Sequence, residues 1–234
     1  MFPIRDNVPS RSFPVITILL IVVNAVIFLF EVAMGPRALA GFVARNALIP
    51  DHVTSYLSGV HLPAGHIFFP FFSSMFLHGG WLHLIGNMWF LWIFGDNVED
   101  RLGHLRFLVF YIACGLLGNV AHYAFNSASS MPSLGASGAI AGVLGAYAIS
   151  YPRARILVLL PIFFFIQFIE LPALVVLGFW FLLQFLNGAA SFVRSSGTGG
   201  VAWWAHIGGF VGGIAIFYLF RPRPRYWYAR DRET

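Results

Sequence analysis

A hydroxyl and an imidazole stand at the heads of two glycine-rich apolar runs, and that pairing is the raw material of a base-activated nucleophile. The hydroxyl is Ser137, in Leu134-Gly135-Ala136-Ser137-Gly138-Ala139-Ile140-Ala141-Gly142. The imidazole is His206, in Ala205-His206-Ile207-Gly208-Gly209-Phe210-Val211-Gly212-Gly213. A third polar group lies in Phe76-Leu77-His78-Gly79-Gly80-Trp81-Leu82-His83-Leu84-Ile85-Gly86-Asn87. His83 and Asn87 are four apart, so on a helix they share one face, about 6 Å apart along the axis. Taken singly, each motif also has a plain structural reading. Small residues around a serine let two membrane helices pack closely, and a His/Asn pair can serve as interhelical hydrogen bonds. A metal site does not fit: HExxH is absent, and His52, His61 and His66, spaced nine and five apart, match no zinc pattern. No metal or cofactor is expected.

The elements that must position these groups are membrane helices. Of the 234 residues 59% are hydrophobic and 10% charged, and mean hydropathy is +0.78, too apolar for a soluble domain. The net charge of +5 rests on fourteen basic side chains, all arginine. That excess orients a chain in a bilayer more readily than it binds nucleic acid, for which no groove-reading motif is present. Cys114, the single cysteine, reads as a small buried hydrophobe.

Six spans are expected. Residues 1–12 form a polar N-terminal tail without a signal-type cleavage site. TM1 runs over 13–32, with Glu31 near its end able to reach the interface and Asn24 set to bond a neighbouring helix. Residues 33–78 are too apolar for a free loop and too broken for a span, so they should lie against the outer leaflet. TM2 begins in the run Phe76–Phe90 and continues to about Phe94. Asp96, Glu99, Asp100 and Arg101 then read as a solvated loop and helix cap with a structural role. TM3 covers 107–125, and the small polar stretch 126–134 could admit water to Ser137. TM4, 137–151, is about 22 Å long and cannot cross a core of about 30 Å, so Ser137 should start a helix below the membrane surface. There the free N–H groups and the positive end of the helix dipole favour developing negative charge. Residues 156–169 suit an interfacial or re-entrant segment. TM5 covers 173–190, 192–202 a flexible loop, TM6 203–220, and 221–234 a basic tail.

The glycine pairs 138/142, 208/212 and 209/213 let TM4 and TM6 approach closely, which brings Ser137 and His206 within hydrogen-bonding reach as nucleophile and base. With both termini cytoplasmic, eleven arginines face inward and three (37, 45, 194) outward. In that topology His83, Asn87, Ser137 and His206 share the outer half of an all-α bundle. A seventh crossing at 156–169 would separate Ser137 from His206.

Together, His78-x4-His83-x3-Asn87, Gly135-Ala136-Ser137-Gly138 and Ala205-His206-Ile207-Gly208-Gly209 resemble the rhomboid family of intramembrane serine proteases over residues 13–220. The resemblance implies Ser137 as nucleophile and His206 as general base. It also implies an oxyanion hole formed by the Ser137 N–H and the side chains of His83 and Asn87. His78 matches a structural histidine, and Gly135 and Gly138 match the glycines framing the nucleophile. Substrates would be transmembrane proteins entering from the lipid bilayer beside TM5, and a bacterial plasma membrane is the simplest setting. One departure stands out: Ala141 replaces an aromatic that packs on the histidine in some relatives. With no acidic residue near the outer ends of TM4 or TM6, a dyad fits better than a triad. A noncatalytic rhomboid-like module that binds membrane proteins is the alternative; a transporter is disfavoured because no inverted repeat is visible.

Overall fold

The computed structural model describes residues 2–162, 165–191 and 202–220. Among the described residues six helices make the bundle: α1 (Val15–Ala33), α6 (Trp81–Leu102), α7 (His104–Phe125), α8 (Ser137–Ser150), α9 (Ala173–Ser191) and α10 (Trp203–Leu219). Between α1 and α6 lie short helices α2 (Pro36–Asn46), α3 (Pro50–Leu57), α4 (Ala64–Phe68) and α5 (Pro70–Ser73), then a single 3₁₀ turn, Ser74–Phe76. Helix α8 is central, packed on α6, α7, α9 and α10, with Ala141, Val143, Ala146 and Tyr147 wholly buried.

The polarity is that of a protein solvated by lipid. Val22, Val26, Leu29 and Phe30 on α1 and Leu174, Val175, Leu182 and Leu186 on α9 are exposed, while Asn24, Asn87, Gln184 and His206 are buried. Such wide apolar outer surface needs a bilayer to cover it. Helices α1, α7 and α9 are long and apolar enough to cross a membrane. Helices α8 and α10 are apolar but shorter, and the last turns of α6 carry Asp96, Glu99, Asp100 and Arg101.

Those last turns correct the expectation of a solvated loop and keep that of a helix cap, which Glu99 forms. The sequence 95–103 is not a solvated loop: α6 continues through it to Leu102, and Glu99 is fully buried. The Glu99 carboxylate accepts from the N–H of Ile16 at 2.9 Å, the N–H of Thr17 at 2.8 Å and the Thr17 hydroxyl at 2.7 Å. It also meets His104 Nδ1 at 2.5 Å. Helix α1 starts after Pro14 with no side-chain cap of its own, so Glu99 supplies the acceptor and negative charge its first turn needs. Asp100 adds bonds to the N–H and hydroxyl of Ser12. Two TM1 assignments change as well. Asn24 donates to Leu20 O in its own helix at 2.7 Å, and Glu31 is buried and accepts from the His78 N–H at 3.2 Å.

The all-α expectation needs a larger amendment. Strands β1 (Phe2–Asp6), β2 (Arg155–Ile162) and β3 (Phe165–Pro172) form an antiparallel sheet in the order β1-β2-β3. Residues 156–169 are thus most of a hairpin rather than a re-entrant segment, and part of the N-terminal tail is its third strand. In β2, Ile156 and Val158 are fully buried while Arg155 is exposed and Leu157 and Leu159 half-buried, the two-residue period of a strand with one covered face. Pro161 cannot donate to a ladder, and it sits where β1, which reaches only Leu159, no longer needs it to. The sheet marks the bundle end opposite the serine: it follows α8, precedes α9 and reaches α6 through Trp89 Nε1, which donates to Pro3 O at 2.7 Å. The loop expected at 192–202 and the tail at 221–234 lie essentially outside the described residues.

Candidate active site

Close backbone approach assembles the site. A Cβ on Gly209 would strike the Gly138 carbonyl oxygen, and one on Gly213 the backbone of Gly142, so these pairs join α8 to α10 as expected. The other pair turns elsewhere: Gly208 and Gly212 face Ala121 and Leu117 of α7. Helix α10 is therefore wedged by glycine on two sides. Gly118 of α7 extends the contact, since a Cβ there would lie 2.7 Å from Ala205 O.

This packing sets His206 Nε2 2.7 Å from Ser137 Oγ. Ser137 is the first residue of α8, after Ala136, and the helix has no side-chain cap. Its hydroxyl is partly buried and its N–H belongs to the unsatisfied first turn. The loop before it is pinned by the connection after α1. Leu48 and Ser133 exchange backbone hydrogen bonds of 3.0 and 2.7 Å, the Asp51 N–H donates to Ser129 O, and the Gly135 N–H donates to Ser74 O at 2.8 Å. Asn119 Nδ2 holds Ser74 Oγ and Phe71 O at 2.9 and 2.7 Å. The segment 33–78 is thus the anchor of the 126–136 loop.

His83 and Asn87 converge on Gly135. A Cβ at Gly135 would lie 2.7 Å from His83 Nε2 and 3.6 Å from Asn87 Nδ2, and its φ of +127° suits glycine in any case. His83 Nδ1 accepts from the Gly79 N–H at 3.4 Å, which leaves the proton on Nε2, directed at this space. Asn87 Nδ2 donates to His78 Nε2 at 3.0 Å, and its second N–H remains for a ligand. His78 therefore acts on Asn87 rather than on Ser137. The arrangement can do acyl chemistry: a hydroxyl on a base, with donors gathered beside it for an oxyanion.

Beyond the expected residues, Gln184 of α9 touches the group: its Oε1 lies 2.8 Å from His206 Nδ1. Trp180 and Trp203 flank the imidazole at 5.8 and 6.2 Å between ring centroids. They set aromatic rings beside the imidazole where Ala141, fully buried, offers none. The signal for Gln184 was in the sequence, as a long polar side chain inside an apolar span, which is costly unless it faces a partner. His52, His61 and His66 are exposed and lie outside the cluster. Cys114 is buried as expected.

Fold and site define a membrane-embedded helix bundle with a partly buried serine hydrogen-bonded to a buried histidine. The Rhomboid domain model matches residues 66–223, and the chain belongs to the rhomboid family. It is 34% identical over 142 residues to the mitochondrial presenilin-associated rhomboid-like protein of Rattus norvegicus, a match covering 56% of this chain and 38% of that one. It is 38% identical over 111 residues to presenilin-associated rhomboid-like protein A of Danio rerio, covering 46% and 29%. RHOMBOID-like protein 5 of Arabidopsis thaliana is 31% identical over 160 residues, covering 68% and 46%. The matches span less than half the length of these curated relatives.

Proposed function

We propose that the chain is an intramembrane serine endopeptidase that hydrolyses peptide bonds in or beside the transmembrane segments of other membrane proteins. Ser137 attacks the scissile carbonyl, and His206 Nε2 takes its proton and returns it to the leaving amine. The Ser137 N–H, His83 and Asn87 stabilise the oxyanion, while Gly135, Gly138 and His78 keep the nucleophile and Asn87 in place. The observation that carries this is the 2.7 Å contact between Ser137 Oγ and His206 Nε2 at the start of a helix. That contact also weighs against the noncatalytic binding module, which has no use for it.

The proposed frame is a six-span domain over 13–220 with both termini cytoplasmic and the site in the outer half. Substrate enters laterally beside α9. The proposed setting is a bacterial plasma membrane; the names of the animal relatives place those proteins in mitochondria, and membrane fractionation of the native host decides between the two. Purified protein in liposomes should cleave members of a panel of single-span substrates, with Ser137→Ala and His206→Ala inactive and chelators without effect. Equal cleavage by the Ser137→Ala variant, or loss with chelator restored by zinc, would overturn the proposal.

A further inference from the structure

A base-activated serine needs its imidazole in one tautomer, with Nε2 free to accept the hydroxyl proton, and a Ser-His-Asp triad secures this with a carboxylate on Nδ1. Among the described residues no carboxylate is hydrogen-bonded to His206; its ring nitrogens meet Gln184 Oε1 and Ser137 Oγ. Gln184 and His206 are both 7% exposed, so water is a poor competitor for that contact. Gln184 belongs to the inward stripe of α9 with Ala173, Leu177 and Gly188, while Leu182, Leu183, Phe185 and Leu186 face outward.

The amide can present only one end to the ring. Its Nε2 donates to Trp180 O, one turn back, at 3.3 Å. Turning the amide over would set its oxygen against that carbonyl oxygen and an N–H against Nδ1. The first is repulsive, and the second demands the tautomer in which Nε2 carries the proton and cannot accept from Ser137. Trp180 and Trp203 restrict tilting of the imidazole.

We infer that Gln184 is a positioning residue: its amide oxygen accepts the His206 Nδ1–H and so keeps Nε2 unprotonated and facing Ser137. This rests on the protease reading above and extends it to a neutral third member supplied by α9. Gln184 touches no reacting atom. Its effect should therefore fall on turnover and leave substrate binding nearly alone.

The test compares wild type, Gln184→Met, which keeps the bulk and loses the acceptor, and Gln184→Glu, which restores an acceptor oxygen. Cleavage of a single-span substrate is measured in liposomes, together with the rate of fluorophosphonate labelling. Gln184→Met should lower kcat by about 10- to 100-fold, less than removal of a charged orienting group from a triad, with KM changed less than about twofold. Labelling should slow by a similar factor, and Gln184→Glu should recover most of the loss. A second readout needs no variant at Gln184. In ¹⁵N-histidine-labelled wild type, the resonances lost in His206→Ala should show the neutral ring protonated at Nδ1. A proton on Nε2, or a Gln184→Met enzyme with unchanged kcat, would overturn the inference. Wild type that neither cleaves nor labels would instead refute the protease reading, and the tautomer would still be measured.

Discussion

At the residue scale the proposed mechanism asks as much of the donors around Gly135 as of the Ser137 hydroxyl. Asn87 is buried and tied to His78 by a 3.0 Å bond, so its remaining N–H is fixed before any substrate arrives. An oxyanion donor held in this way lowers the barrier because no reorganisation is required during the reaction. Asn87→Ala should reduce kcat by about 10²- to 10³-fold, equivalent to about 2.7 to 4 kcal/mol, with KM almost unchanged. His78→Ala frees the Asn87 side chain without deleting it, so a smaller loss in kcat is expected from the same steady-state measurement. Ser137, His206, His83 and Asn87 were legible because each is a polar group at a definite place in an apolar run. Gln184 is no less polar, yet it sits inside an apolar run whose bulk hydropathy hides it, and the absence of an acidic residue near His206 points only to a dyad over a triad, leaving open what orients the imidazole. A neutral amide fills that place.

At the element scale, glycine and one buried carboxylate set the helix positions. Gly209→Ala would push a methyl group into the Gly138 carbonyl. Overpacking of this kind costs about 1 to 3 kcal/mol, and any relief moves α10 from α8, lengthening the Ser137–His206 contact. Cleavage should therefore fall further than thermal stability in detergent. Gly178 has nothing within 4 Å of an added Cβ, so Gly178→Ala should leave both near wild type. Glu99 works at the other end of the bundle. Glu99→Ala strands the first-turn N–H groups of α1 in a buried place, and a loss of about 3 kcal/mol should appear in thermal unfolding. The function of Glu99 was not readable locally, because Ile16 and Thr17 lie 83 and 82 positions away in the chain. A charge cluster looks solvated until its partners are known. The β hairpin was hidden for the same reason: an apolar run broken by proline does not reveal its period to a reader who lacks β1, more than 140 residues upstream.

On the scale of the whole molecule, the sheet ties the N-terminal residues to the α8–α9 connection. Asp6 makes one of the polar contacts at this junction, accepting a short hydrogen bond from the Tyr147 hydroxyl. Burial pushes the Asp6 carboxyl up from 3.8 to about 6, outweighing the Tyr147 hydroxyl, which acts in the opposite sense. The folded chain thus holds this proton to higher pH than the unfolded chain does. Stability from Asp6 is complete below about pH 4 and declines as pH rises through about 6. In Asp6→Asn the group does not titrate, so the difference in melting temperature between variant and wild type should grow in the variant's favour from pH 4 to pH 7, as read by thermal unfolding in detergent. A difference independent of pH would show that Asp6 does not titrate in this window.

The serine at the start of α8 is where these scales meet, since glycine packing, the anchored loop and the imidazole all act on one hydroxyl. Peptide mapping after treatment of the liposome-embedded protein with a fluorophosphonate tests this most directly. A single adduct on Ser137 is expected, with labelling abolished in Ser137→Ala and in His206→Ala. An unlabelled wild type, or an adduct that persists in Ser137→Ala, would contradict it.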